Sequence, residues 1–173
     1  MNARIVGLVL FGLALVPSPV LAAPMRCPED AEGGACVWGR VEGFDGATLQ
    51  IRGLSIALAG VVAPSRKDIC ANRSTREEFA CGRPARKRMA ELVAKGIACD
   101  IVEVESGQLW GRCRGPDGDV ARLLIQAGVV KASKDGLFED AQKQAVKARK
   151  GLWAAEIILP RDWEAVRRKN SDD

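Results

Sequence analysis

The chain has 173 residues, enough for one domain with a proper core, and its 26 Lys and Arg against 22 Asp and Glu leave a formal charge of +4. So mild a surplus permits contact with a polyanion without demanding it. Six cysteines, no histidine and no Cys-x-x-Cys pair argue against a zinc site and read as a disulfide framework.

Residues 1–22 read as a cleaved export signal, leading to the periplasm or the medium. Arg4 supplies the positive start, and Val6 to Val16 is an unbroken apolar run too short to span a bilayer comfortably. Pro17 and Pro19 end any helix, and Val20-Leu21-Ala22 presents residues that a signal peptidase accepts. The alternative is an N-terminal apolar helix packed on the domain. Cleavage removes Arg4 and no acid, leaving 25 Lys and Arg against 22 acids, a charge of +3, and no membrane span.

A polar leader occupies 23–35, the folded domain 36–165 and a charged, frayed tail 166–173. Cys36 to Phe44 alternates as a first strand. Asp45-Gly46 reverses the chain into the strand Thr48 to Ile51, and Arg52-Gly53 reverses it again. Ser55 to Val62 is a nearly continuous apolar run, the pattern of a strand buried on both faces, and Pro64 stops it. Arg66 to Cys81 is polar and charged and reads as an excursion loop held by its cysteines. Pro84 suits the first turn of a helix whose apolar stripe is Ala85, Met89, Leu92 and Val93, closed by Lys95-Gly96. Ile97 to Glu105 and Leu109 to Arg114 flank a Ser106-Gly107 turn. Cys99 and Cys113 lie symmetrically about that turn, facing each other at a distance a disulfide bridges. Cys70 with Cys81 would then clip the long loop and Cys27 with Cys36 the leader, although sequence alone leaves the pairing of these four open. Asp119 caps a helix from Val120 to Ala127, and a third helix runs from Leu137 to Lys150. The order of elements is that of a five-stranded Greek-key barrel with three helices, α+β and mainly β.

Five local signatures, in this order, resemble the staphylococcal nuclease-like (thermonuclease) family, whose fold is an OB-type barrel. They are Asp45-Gly46-Ala47-Thr48, then Ala57 to Ser65 with its Gly60 and Pro64, and Cys81-Gly82-Arg83-Pro84-Ala85. Gln108-Leu109-Trp110-Gly111-Arg112 and Ala148-Arg149-Lys150-Gly151-Leu152-Trp153 complete the set. The resemblance covers Val37 to Trp163. Active members of the family bind Ca²⁺ through carboxylates, activate water with a Glu and grip the phosphate with two Arg residues.

By matching position, the turn carboxylate is Ala47, the first Arg is Ala57, the strand carboxylate is Val62 and the Glu is Ser65. The Asp opening the second hairpin motif is Gln108. Only Asp45, Thr48 and the second Arg, Arg112, remain. A hard cation needs several oxygen ligands with negative charge among them, and Ala47 and Val62 supply none. The resemblance therefore implies a degenerate site with no catalytic residues, no bound metal and no cofactor. Apolar residues at Ala57 and Val62 look like a site converted into core.

Several residues have an ordinary reading beside a functional one. Asp45 suits a tight turn as well as a metal ligand. Arg112 suits a phosphate or an acidic sugar, and equally a cross-strand pair with Glu103 or Glu105. The run Arg83, Arg86, Lys87 and Arg88 is a patch for weak polyanion binding, to nucleic acid or acidic polysaccharide, or a solvated helix face. Trp110 stacks on a ligand or fills the barrel. Arg112, Trp110 and Arg86 are thus the ligand-binding candidates. Trp153 and Trp163 read as packing anchors. Asp68, Glu77 and Glu78 could form a substitute acidic site, but their spacing specifies none. The sequence predicts an exported, disulfide-bonded, monomeric nuclease-like domain that binds or assists rather than catalyses. The alternatives are a metal-dependent nuclease with a rearranged site and, from family resemblance alone, an accessory of exopolysaccharide (succinoglycan) production.

Overall fold

The computed structural model describes Cys27 and residues 34–65, 67–134, 136–154 and 157–159. The predicted export signal, most of the leader, Trp163 and the charged tail lie outside the described residues. The predicted first strand is two: β1 (Cys36–Gly39) and β2 (Val41–Asp45), separated by Arg40 alone. β3 (Thr48–Ile51) and β4 (Leu54–Leu58) continue an antiparallel meander. Left-handed backbone at Gly46, Arg52 and Gly53 makes its two reversals (φ 54°, 51° and 73°). At Arg52 the strain is offset locally, because the Glu42 carboxylate accepts the N–H groups of Arg52 and Gly53 and the guanidinium covers Trp38.

The predicted buried strand Ser55 to Val62 is interrupted. β4 ends at Leu58, and Gly60 turns with φ 78° before β5 (Val61–Val62). A Cβ at Gly60 would come within 2.8 Å of the Phe138 ring, so the chain bends where a distant aromatic fills the space. The predicted loop Arg66 to Cys81 also needs correction, because it contains the hairpin β6 (Ile69–Asn72) and β7 (Glu78–Ala80). Asn72 builds its turn, accepting the N–H groups of Ser74 and Thr75 at 2.8 and 3.0 Å.

α1 (Gly82–Val93) buries the predicted stripe Ala85, Met89, Leu92 and Val93. β8 (Ile97–Glu105) and β9 (Gln108–Gly115) form the long hairpin, followed by the short β10 (Gly118–Asp119). α2 (Val120–Gln126) starts as predicted, with the Asp119 carboxylate accepting the Arg122 N–H at 2.8 Å. β11 (Lys131–Ala132) pairs with β5, and α3 (Glu139–Lys147) is shorter than predicted because Leu137 and Phe138 precede it as a turn, with Phe138 buried. A 3₁₀ turn (Gly151–Trp153) leads to β12 (Ile157–Ile158), which pairs with β6.

The main sheet runs β1-β8-β9-β4-β3-β2, with β4 and β9 parallel and the other pairs in this path antiparallel. Its two ends are consecutive in the chain, so the sheet curls back toward itself. Inside the curl lie Leu49, Ile51, Ile56, Leu58 and Ile97, closed over by Met89 of α1 and by Leu124 and Ile125 of α2. The described fold is α+β, mainly β, with three α-helices. The five predicted strands correspond to β1–β5, β8 and β9. The other short strands were hidden by polar composition or by partners distant in sequence.

Three disulfides join Cys27 to Cys36, Cys70 to Cys81 and Cys99 to Cys113. All three match the predicted pairs, including the four cysteines whose pairing the sequence leaves open. Such a framework fits an exported protein. Among the described residues, no helix is long and apolar enough to cross a membrane.

Arg122 reaches from α2 to Asp140 of α3 at 2.6 Å. The guanidinium's hydrogen bond holds the Asp140 carboxyl below its ordinary value. A carboxylate shifted this way adds stability above its unfolded pKa, and the contribution is lost as pH falls through the folded value. The α2–α3 contact is therefore expected to weaken in acid below about pH 4. An NMR titration should place the Asp140 inflection below that of Asp in an unfolded reference, and Arg122→Gln should shrink the difference, leaving only what the backbone N–H groups of Asp140 and Ala141 contribute. Equal inflections in the native protein would disprove the coupling.

Candidate functional site

Two clefts lie on either side of the Pro64–Ser65 segment, which is wedged between the β2–β3 turn and the start of α1. The close fit depends on glycine. A Cβ at Gly46 would meet the Ala63 Cβ at 3.4 Å, and one at Gly82 would meet the Pro64 carbonyl oxygen at 3.3 Å.

The first cleft, about 360 Å³, is lined by Asp45, Gly46, Ala47 and Thr48 of the turn and by Ala57 and Leu58 of β4. Val61, Ala63, Pro64, Ser65, Lys67 and Trp110 complete it. It thus brings together most positions matched to the nuclease family's site. Cross-strand register explains why: Thr48 lies opposite Ala57, and Ala57 opposite Trp110, so three neighbouring strands carry one row across the sheet. Ala57 is buried at the middle of that row and leaves an apolar floor between the Thr48 hydroxyl and the Trp110 ring. Trp110 is half-buried and borders the cleft, rather than filling the core.

Three predicted positions fall outside this lining. Val62 sits in the β5–β11 pair, opposite Lys131. Gln108 is spent on the sheet, its Nε2 donating to the carbonyl oxygens of Ser55 and Leu109 at 3.2 and 2.9 Å. Arg112 is exposed on β9, two residues along from Trp110. Its predicted pairing with Glu103 or Glu105 is corrected by the register, which continues from Cys99 opposite Cys113 and sets Arg112 opposite Asp100. Beyond a bulge between Ile101 and Glu103, Glu103 lies opposite Trp110 and Glu105 opposite Gln108. The Asp100 carboxylate is taken by Arg114 at 2.8 Å, and Arg112 has no ion pair or side-chain hydrogen bond among the described residues.

The cleft's donor set does not fit Ca²⁺. Among the described residues Asp45 is its one carboxylate, and Thr48 and Ser65 add hydroxyls, whereas the cation takes six to eight oxygens, several of them charged. Lys67 also enters the lining and would repel it. Nor do the loop acids gather into a substitute. Asp68 is only 4% exposed and its carboxylate accepts the Ser65 N–H at 2.7 Å, while Glu77 and Glu78 are exposed on the β6–β7 hairpin. Asp68 therefore positions the Ser65 backbone. The spacing Ser65-x-x-Asp68, a common way for a side chain to satisfy a backbone N–H three residues back, was the signal for it.

The second cleft, about 540 Å³, lies between the β2–β3 turn and the first two turns of α1. Phe44, Pro64 and Ala80 give it apolar walls, Asp45 and Gly46 its turn side, and Gly82, Arg83, Arg86 and Lys87 its helix side. Of the predicted binding residues, Arg86 belongs here, apart from Trp110 and Arg112. Lys67, Phe44 and Ala80 were missed by sequence reasoning, since no local pattern links three segments so far apart.

Fold and clefts together define a disulfide-bonded, mainly β domain with two adjoining surface clefts, the second of them carrying three basic side chains on one wall. No family model matches the chain. It is similar to the succinoglycan biosynthesis protein ExoI of Rhizobium meliloti (strain 1021), 28% identical over 144 residues that cover 79% of this chain and 74% of that protein.

Proposed function

We propose that the protein is an exported, non-catalytic accessory of exopolysaccharide production, built on a staphylococcal nuclease-like OB barrel whose catalytic cleft has become apolar. The observation that carries this reading is the lining of the first cleft. Ala47, Ala57, Leu58, Val61 and Ala63 stand around a single carboxylate where phosphodiester hydrolysis would need a cluster of acids, a base and two Arg residues. Loss of one transition-state donor alone costs on the order of 10² to 10³ in rate, and several lost together leave little catalysis.

Strand pairing supports the barrel. If β1 and β2 are taken as one bent strand, the sheet closes in the order first, second, third, fifth, fourth and back to first, with a parallel contact between third and fifth. Three disulfides and the apolar segment at Val6 to Val16 support export. The similarity to a succinoglycan biosynthesis protein supports the exopolysaccharide role.

The first test is digestion of plasmid and RNA by the mature, oxidised protein with Ca²⁺, beside an EDTA control. No cutting is expected. Metal-dependent cutting that disappears in Arg112→Ala would instead establish a nuclease with a rearranged site. A deletion strain should produce less exopolysaccharide, and an unchanged yield would remove the accessory role.

A further inference from the structure

We propose that the second cleft is an anion subsite that takes the carboxylates of an acidic oligosaccharide. The class of ligand rests on the exopolysaccharide reading above, but the site's charge and shape do not. Arg83, Arg86 and Lys87 lie three and four residues apart, which puts them on one face of α1, and all three line the cleft. None of the three has an ion pair or side-chain hydrogen bond among the described residues. The adjacent Arg88, by contrast, is paired with Glu91 at 2.8 Å.

This charge pattern is the reverse of what stabilises a helix. The first turns of α1 carry like charges at spacings where they repel, at the end where the helix dipole is already positive. Its first turn holds no acid and its last turn no base. A local rule broken without compensation among the described residues points to compensation from a ligand. The one acid among the described lining residues, Asp45, stands on the turn side, so an incoming anion is directed to the helix wall.

Shape and lining narrow the ligand. A volume of about 540 Å³ falls within the range of small-molecule sites, roughly 300 to 1,000 Å³. Phe44, Pro64 and Ala80 offer apolar surface to the C–H face of a sugar ring, while the cations meet its carboxylate. A nucleic acid strand would need positive charge to continue along the groove. Among the described residues, however, the adjoining cleft beyond Pro64 has Lys67 as its one cation.

The test is calorimetric titration of the mature, oxidised protein with a short oligogalacturonate, a neutral dextran fragment and a single-stranded DNA oligonucleotide. Binding to the oligogalacturonate is expected, falling as salt rises, with no binding to dextran and weaker binding to DNA. Arg83→Glu combined with Arg86→Glu should lower the affinity at least about tenfold, because two attractive charges become repulsive. A single charge reversal just past the far end of the helix, Lys95→Glu, should leave the affinity unchanged, whereas Arg86→Glu alone should lower it. The double variant should also melt no lower than the wild type, since acids suit a helix start. A merely structural role for these arginines would lower it. Unchanged affinity in the double variant, no oligogalacturonate binding by the wild type, or tighter binding to DNA would each overturn the site. If binding fails but the deletion strain loses exopolysaccharide, the site falls and the accessory reading stands. If binding holds and the yield is normal, the reverse follows.

Discussion

Gly151→Ala is expected to destabilise the protein by about 2 to 5 kcal/mol, the sum of a left-handed backbone penalty and overpacking. Gly151 has φ 53°, and a Cβ there would stand 2.5 Å from the Gly128 carbonyl oxygen and 2.8 Å from that of Ala127. Gly128, with φ 70°, ends α2 and faces the Lys150 carbonyl just as closely. Two glycines thus lie back to back, locked by the Leu152 N–H donating to the Gly128 oxygen at 2.8 Å. Neither can move without displacing Leu152, which is buried against Cys70 and Cys81. Urea denaturation should show a lower midpoint with an unchanged slope. A change below about 0.5 kcal/mol, the ordinary scatter of surface substitutions, would refute this account. The Gly151-Leu152 step is therefore explained by packing.

Replacing both Cys70 and Cys81 by alanine is expected to cost about 2 to 4 kcal/mol, and to do so locally. This bridge and Leu152 form a small core of their own, apart from the main one. Cys81 is also the residue before α1, and its N–H donates to the Asp68 carbonyl at 2.8 Å. Without the bridge, the β6–β7 hairpin and the first turn of α1 have little else to hold them against the sheet. Native-state hydrogen exchange should then show faster exchange in β6, β7 and early α1, while β8 and β9 stay protected. Uniform loss of protection across the molecule would show that the bridge supports the main core. The second cleft uses Ala80 and Gly82, so the double variant should also bind oligogalacturonate more weakly.

What could be read in advance depended on local rules. The Asp119 cap, the Ala85–Met89–Leu92–Val93 stripe and the opposed Cys99 and Cys113 each follow from spacing within one element or one hairpin. The break at Gly60 did not, because Phe138 occupies the space a side chain there would need and lies far along the chain. The partner of Arg112 was misjudged because Glu103 and Glu105 lie nearer the turn, whereas the register that sets Cys99 opposite Cys113 places Arg112 one step along, opposite Asp100. Most residues of the first cleft were singled out in advance, since they fall within two short stretches, 45–48 and 57–65. The second cleft was only partly so. Its basic run was visible, but the walls that Phe44, Pro64 and Ala80 raise around it come from three separate segments.

The order of the bridges bears on how the molecule is made. Each cysteine pairs with the next along the chain, closing loops of 9, 11 and 14 residues in sequence separation, with none crossing another. A chain threaded N-terminus first into an oxidising compartment therefore presents each thiol's native partner as the next one to arrive. Oxidation in order of emergence yields the correct set, and no wrong bridge has to be broken first. The protein should mature efficiently wherever a thiol oxidase is present, independent of a disulfide isomerase.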